Sequence, residues 1–208
     1  MNKKQKYKTC REYRDNIRIL YKEGLYYEGY ELCLQFKSAI ENEEIEYTDN
    51  DLWACCIYLS IGCEKLGLFN MATYYAKLSL MYARKSAEFF KSKLMLGVCY
   101  QRIKKYKKAI ETYDSCIQMC DKTIEQLNKV GCTEELKPLL ECKADCLHNK
   151  GEILNDEISL YQAIKIYKAL NYDGNIKNEI IQSKIKETYE HIKSLQSGSE
   201  IKHLYNAL

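Results

Sequence analysis

Apolar residues recur along this chain every three to four positions and never in sustained alternation, so each patterned segment reads as an amphipathic helix and no strand competes with it. The pattern predicts helices over about 8–22, 50–66, 87–104 and 133–154. A partner helix follows each of them, over about 25–42, 69–84, 106–129 and 157–170. A closing helix is expected over about 175–195, where Ile176, Ile180, Ile181, Ile185, Tyr189 and Ile192 share a face while Lys177, Lys184, Lys186 and Glu187 lie mostly elsewhere. Thr48 with Asp51, and Thr133 with Glu134 and Glu135, are the kind of residues that open helices. The expected fold class is all-α.

The helices come in pairs with a shared grammar. Leu96-Gly97-Val98-Cys99-Tyr100 is followed, after a short basic turn, by Tyr106, Ala109, Ile110 and Tyr113. Small residues at Gly97 and Ala109 with aromatics at Tyr100 and Tyr113 describe antiparallel helices in close approach. The same order recurs upstream as Leu59, Ser60, Cys63, Gly67, Phe69, Ala72, Ala76 and Ser79. It appears again as Ile17, Leu20, Gly24, Tyr26, Gly29, Cys33 and Phe36, and downstream as Gly151, Leu154, Leu160, Ala163, Tyr167 and Leu170. The equivalent small residues are Gly29, Ala72, Ala109 and Ala163, at intervals of 43, 37 and 54 residues. This grammar resembles the tetratricopeptide repeat, whose standard period is about 34 residues. The resemblance implies a TPR-like right-handed α-solenoid of about four helix pairs, over about 8–42, 50–84, 87–129 and 133–170, plus a C-terminal capping helix, in a single repeat domain spanning 1–208. Long repeats with a groove are also similar to those of the cytoplasmic peptide-pheromone receptors of Gram-positive bacteria and their phage relatives. Those receptors carry an additional helical domain before the array, for which no room is expected here.

Composition narrows the function classes. Of 208 residues one is proline, Pro138, which leaves few places where a helix would be forced to break. No apolar run reaches the length of a bilayer-spanning helix and no secretory signal pattern is read, so a cytoplasmic protein is expected. The net charge of +3 gives no general case for nucleic acid, although residues 1–22 hold eight Lys/Arg against two acids and residues 41–51 hold six acids. Eleven cysteines with no export signal read as buried, reduced packing residues, Cys33, Cys63, Cys99 and Cys116 among them. A zinc site can be sketched from Cys142, Cys146 and His148, but His148 falls on another helix face, and no metal or other cofactor is expected. The glycine pairs Gly24/Gly29 and Gly62/Gly67 lack the Lys-Ser/Thr of a phosphate loop, and His148, His191 and His203 sit in no catalytic motif. No enzyme is expected.

In an array of this style the first helix of each pair lines the inner face. Arg11, Arg14, Arg18 and Lys22 fall at spacings of three and four on the first helix, a cationic stripe able to hold a carboxylate or phosphate; the same residues also suit a solvated helix face. Further lining is expected from Ile57, Tyr58, Ile61 and Lys65, from Leu94, Met95, Val98, Gln101 and Arg102, and from His148, Asn149, Glu152 and Asn155. The lysine and asparagine set with which some chaperone-binding repeats clamp a terminal carboxylate is not found. The reading that results is a non-catalytic adaptor holding a protein segment or peptide in the groove. The alternative is a sensor whose curvature changes on binding a peptide or small ligand, and a homo-oligomer is left open.

Overall fold

The computed structural model describes residues 7–171 and 179–205, with side chains placed as far as residue 197. The helices among them are α1 (Cys10–Lys22), α2 (Tyr26–Glu41), α3 (Asp49–Lys65), α4 (Phe69–Tyr82), α5 (Ser86–Arg102), α6 (Tyr106–Val130), α7 (Leu136–Leu154), α8 (Glu157–Asn171) and α9 (Glu179–Tyr205). No strand occurs among the described residues. The first eight helices start and stop within three residues of the limits read from the sequence. Helix α9 runs ten residues beyond its expected end at 195, while Ile176 and Lys177 lie outside the described residues. Helix α7 begins at Leu136, not at Thr133. Pro138 explains how it can begin there: the missing N–H falls in the first turn, where no intrahelical acceptor exists to be disappointed.

The chain divides into two compact units, Met1–Lys105 and Tyr106–Leu208. In the first unit α1 packs on α2 and α3 on α4, while α3 also touches α1 and α5. Tyr13 stacks on Phe36 with ring centroids 5.1 Å apart, and Phe36, Cys33, Ile57, Leu59, Cys63, Ala72 and Ala76 are fully buried. Gly29 and Gly62 are small because Tyr21 lies over both; its ring covers Gly29, and its hydroxyl crosses Gly62 to donate to the Tyr58 carbonyl at 2.9 Å. In the second unit α7 packs between α6 and α8, and α9 lies against α8. Ala109, Tyr113, Leu139, Ala144, Leu160 and Ala163 are fully buried there. All four small residues of the repeat grammar, Gly29, Ala72, Ala109 and Ala163, are thus buried.

Each first helix in the first unit opens on an acid that reaches back to the chain before it. Glu12 accepts from the Lys8 amide at 2.8 Å, Asp51 from the Thr48 amide at 3.0 Å, and Glu88 from the Arg84 amide at 2.9 Å. These carboxylates satisfy N–H groups that the helices leave open and complement the positive helix end. The ends of the first helices are equally alike: Gly24, Gly67, Lys104 and Asn155 all adopt positive φ, at 77°, 76°, 58° and 52°. Across that turn the next amide returns to a carbonyl of the last helical turn, as from Leu25 to Leu20 and from Lys105 to Tyr100, each at 2.9 Å. Only glycine takes this conformation without a Cβ penalty. Lys104→Gly is therefore expected to stabilise the protein by about 0.5–1 kcal/mol, and Gly67→Ala to destabilise it by about 1 kcal/mol. Urea denaturation of the two variants checks both signs.

Candidate binding face

The stripe on α1 divides by function once α3 is beside it. Arg11 is exposed and pairs only loosely, at 3.6 Å, with Asp15 on its own helix. Arg14 turns inward: its guanidinium lies 2.9 Å from the Asp51 carboxylate, the same group that caps α3. The Asn50 amide, oriented to satisfy both neighbours, accepts from Arg14 at 2.8 Å and donates to Glu88 at 2.8 Å. Arg14 is thus a structural tie from α1 to the start of α3, with Asn50 carrying the contact on to the cap of α5. Unlike the solvated face that the sequence also allows, Arg14 meets a carboxylate whose side chain is only 9% exposed.

Farther along, Arg18 donates from Nε to the Tyr58 hydroxyl at 2.6 Å while its side chain remains 63% exposed. Burial raises the pKa of Tyr58, and the neighbouring Arg18 charge offsets part of that rise. Tyr58 itself is buried and Ile57 is fully so, which removes Ile57 from the surface where the sequence placed it and leaves Tyr58 to act through Arg18. Lys22, Lys65 and Arg102 occupy equivalent places in three successive first helices, each in the last turn and two residues before the left-handed turn position. Lys65 sits 5.9 Å from the Tyr26 ring centroid and 3.3 Å from Glu64. Arg102 reaches across from α5 to the same carboxylate at 2.6 Å. Glu64 is buried, so its charge is held by this pair of cations, and the faces of both remain open to solvent. Met95 is half-buried against the core of the first unit, and Gln101 is half-buried beside Arg102.

Asn149 belongs to the second unit, on α7, where it donates to the Asp145 carbonyl at 2.7 Å. Here α9 is tied to α7 by charge: Lys184 donates to Asp145 at 2.7 Å and to Glu141 at 3.1 Å. Burial works to lower the pKa of Lys184, but Asp145 and Glu141 raise it on balance. The Tyr167 hydroxyl donates to the same Asp145 at 2.5 Å, and burial, followed by that carboxylate, raises its pKa. His148 faces α9 as well, with Nδ1 2.9 Å from the Thr188 hydroxyl and Nε2 3.4 Å from Glu152. It therefore stands apart from the thiols with which the sequence sketch had grouped it.

Those thiols gather without it. All eleven cysteines are free, and ten are buried. In the first unit burial pushes the Cys63 and Cys99 thiols up to about 11 and those of Cys33 and Cys56 up to about 12, so they stay protonated and unreactive at neutral pH. In the second unit Cys116 and Cys120 on α6 meet Cys142 and Cys146 on α7. The sulfurs of Cys116, Cys142 and Cys146 all lie within 4.8 Å of one another. Cys120 lies one turn from Cys116 on α6 and is buried. Its thiol is pushed up to about 12 by the Cys116 hydrogen bond and by burial, although the contact with Cys142 pulls the other way.

No family model and no curated protein matches the sequence. Among solved structures, the chain is similar to one from Podosopora anserina, described as a candidate kinesin light chain with nearly identical TPR-like repeats, at 14% identity and a TM-score of 0.53. The match covers 95% of this chain and 93% of that one. The fold is thereby an all-α, TPR-like repeat solenoid. No helix among the described residues is long and apolar enough to cross a membrane.

Proposed function

We propose that this protein is a non-catalytic adaptor whose first unit binds an acidic peptide or protein segment along the inner helices α1, α3 and α5. The observation that carries this reading is the repetition of a solvent-accessible cation at one place in three successive repeats, Lys22, Lys65 and Arg102, with Arg18 one turn before the first. A cation in a last helical turn also complements the helix dipole, which accounts for each residue singly. The dipole does not account for Arg102 and Lys65 both converging on one buried carboxylate with their outer faces open. Such preset guanidinium and ammonium groups have lost part of their rotamer freedom before a guest arrives, which favours binding. Arg11 and Asn149 extend the surface within their own units, and Tyr58, Met95 and Gln101 support it from beneath. Ten buried free thiols suit a reducing compartment such as the cytoplasm.

Selection from a random peptide display library, followed by anisotropy measurements on the enriched peptides, tests the reading. Enriched peptides are expected to be rich in Asp and Glu and to bind more weakly as salt rises. Arg18→Glu with Lys22→Glu should weaken them by about tenfold or more while costing only about 1 kcal/mol of stability, from the Arg18–Tyr58 hydrogen bond. Enrichment of uncharged peptides, or equal binding by the double variant, would remove the cationic row from the site.

A further inference from the structure

The geometry points to a structural zinc site made by Cys116, Cys120, Cys142 and Cys146 in the second unit. Two cysteines one helical turn apart on α6 face two cysteines one turn apart on α7, so each helix offers a pair of sulfurs from one side. Cys116 and Cys142 stand with their sulfurs 3.9 Å apart. A tetrahedron with about 2.3 Å from zinc to sulfur has edges of about 3.8 Å. Three of the four sulfurs, those of Cys116, Cys142 and Cys146, already lie within 4.8 Å of one another, and Cys120, one turn from Cys116 on α6, is the fourth.

Packing alone is a weaker account of this cluster. The buried cysteines of the first unit are spread among other partners, Cys33 beside the Tyr21 hydroxyl at 3.5 Å and Cys99 beside Ser60 at 3.8 Å. Among the described residues no other three Cys, His, Asp or Glu side chains come together in this way. The donor set also selects the ion. The neighbouring Asp145 carboxylate is held by Tyr167 and Lys184, and His148 by Thr188, so only sulfur faces the centre. Sulfur alone suits Zn²⁺ and excludes Mg²⁺ and Ca²⁺. As each Zn–S bond forms, the thiol proton leaves to solvent, and no oxidation state changes.

The test uses the full chain purified without chelator and kept in reductant. Elemental analysis is expected to find one zinc per chain, and the chain stripped of metal should take up Co²⁺ with the intense visible bands of a tetrahedral thiolate complex. Cys142→Ser with Cys146→Ser, which removes both ligands of α7, should abolish those bands, and Cys120→Ser, which leaves three ligands, should weaken Co²⁺ binding by at least about tenfold. Cys33→Ser and Cys63→Ser, in the first unit, should leave both the bands and the affinity unchanged. Zinc is expected to raise the melting temperature of wild type and a chelator to lower it. The inference is overturned if reduced wild-type protein takes up no Co²⁺, if the bands survive in the double variant of Cys142 and Cys146, or if the cluster is a Cys116–Cys142 disulfide whose reduced form binds no metal. The wild-type cobalt titration decides the matter even if a serine variant fails to fold.

Discussion

Arg14→Glu is expected to destabilise the protein by about 3 kcal/mol, whereas Arg11→Glu, one turn earlier on the same helix, should stay within about 0.5 kcal/mol of wild type. The two arginines belong to one sequence pattern and differ only in what they meet. Arg11 is 85% exposed beside a surface aspartate, while Arg14 is 23% exposed against a carboxylate that also caps α3. A glutamate at position 14 would set two carboxylates together where water reaches neither well, and it would strain the cap that Asp51 makes with Thr48. Arg14→Lys should recover part of the loss, since charge is restored but not the fork that also reaches Asn50. Urea denaturation with unchanged slope measures all three variants. Equal stability of the Arg14→Glu and Arg11→Glu proteins would mean that the α1–α3 tie does not hold in solution.

Gly62→Ala should cost about 2 kcal/mol even though alanine is the better helix former by about 1 kcal/mol. The added methyl would overlap the Tyr21 hydroxyl and press on Tyr30 Cβ at 3.2 Å. Removing the overlapped atom identifies the cause. In the Tyr21→Phe background Gly62→Ala should be far less costly, although Tyr21→Phe alone forfeits about 1 kcal/mol with its hydrogen bond to the Tyr58 carbonyl. A double-mutant cycle by thermal unfolding should therefore show strong coupling, and additive effects would refute the steric account.

These two expectations mark where the sequence stops being legible. Helix limits could be read because they depend on local signals: the apolar period, Gly24 and Gly67 at positive φ, and Thr48 with Asp51. The cationic stripe could be read too, but not its division, because Asp51 lies 37 residues from Arg14 and meets it only through the stacking of α1 on α3. Lys104 carries no turn signature, yet it takes the conformation that glycine takes in the two repeats before it, since the fold of the repeat overrides the residue's preference. The thiol cluster was half visible. Each helix showed its own pair of cysteines one turn apart, but the register that sets α6 beside α7 is a tertiary fact, and His148 was a closer neighbour in sequence than Cys116.

Helix α6 continues for ten residues past Cys120, and none of positions 121–130 is buried. A stretch of that length is marginal in water by itself, so its order depends on the turns it grows from and on surface pairs such as Lys129–Glu125 at 2.7 Å. Fraying from this end is the cheapest local opening in that helix, and the Lys143–Asp121 pair is the last charged latch before the fray reaches Cys120. The thiols are therefore expected to react at a rate that follows unwinding of the outer end of α6 and exceeds the rate of global unfolding. An ion, an oxidant or an alkylating reagent would enter on that clock, and whatever grips the outer end of α6 would slow them all together.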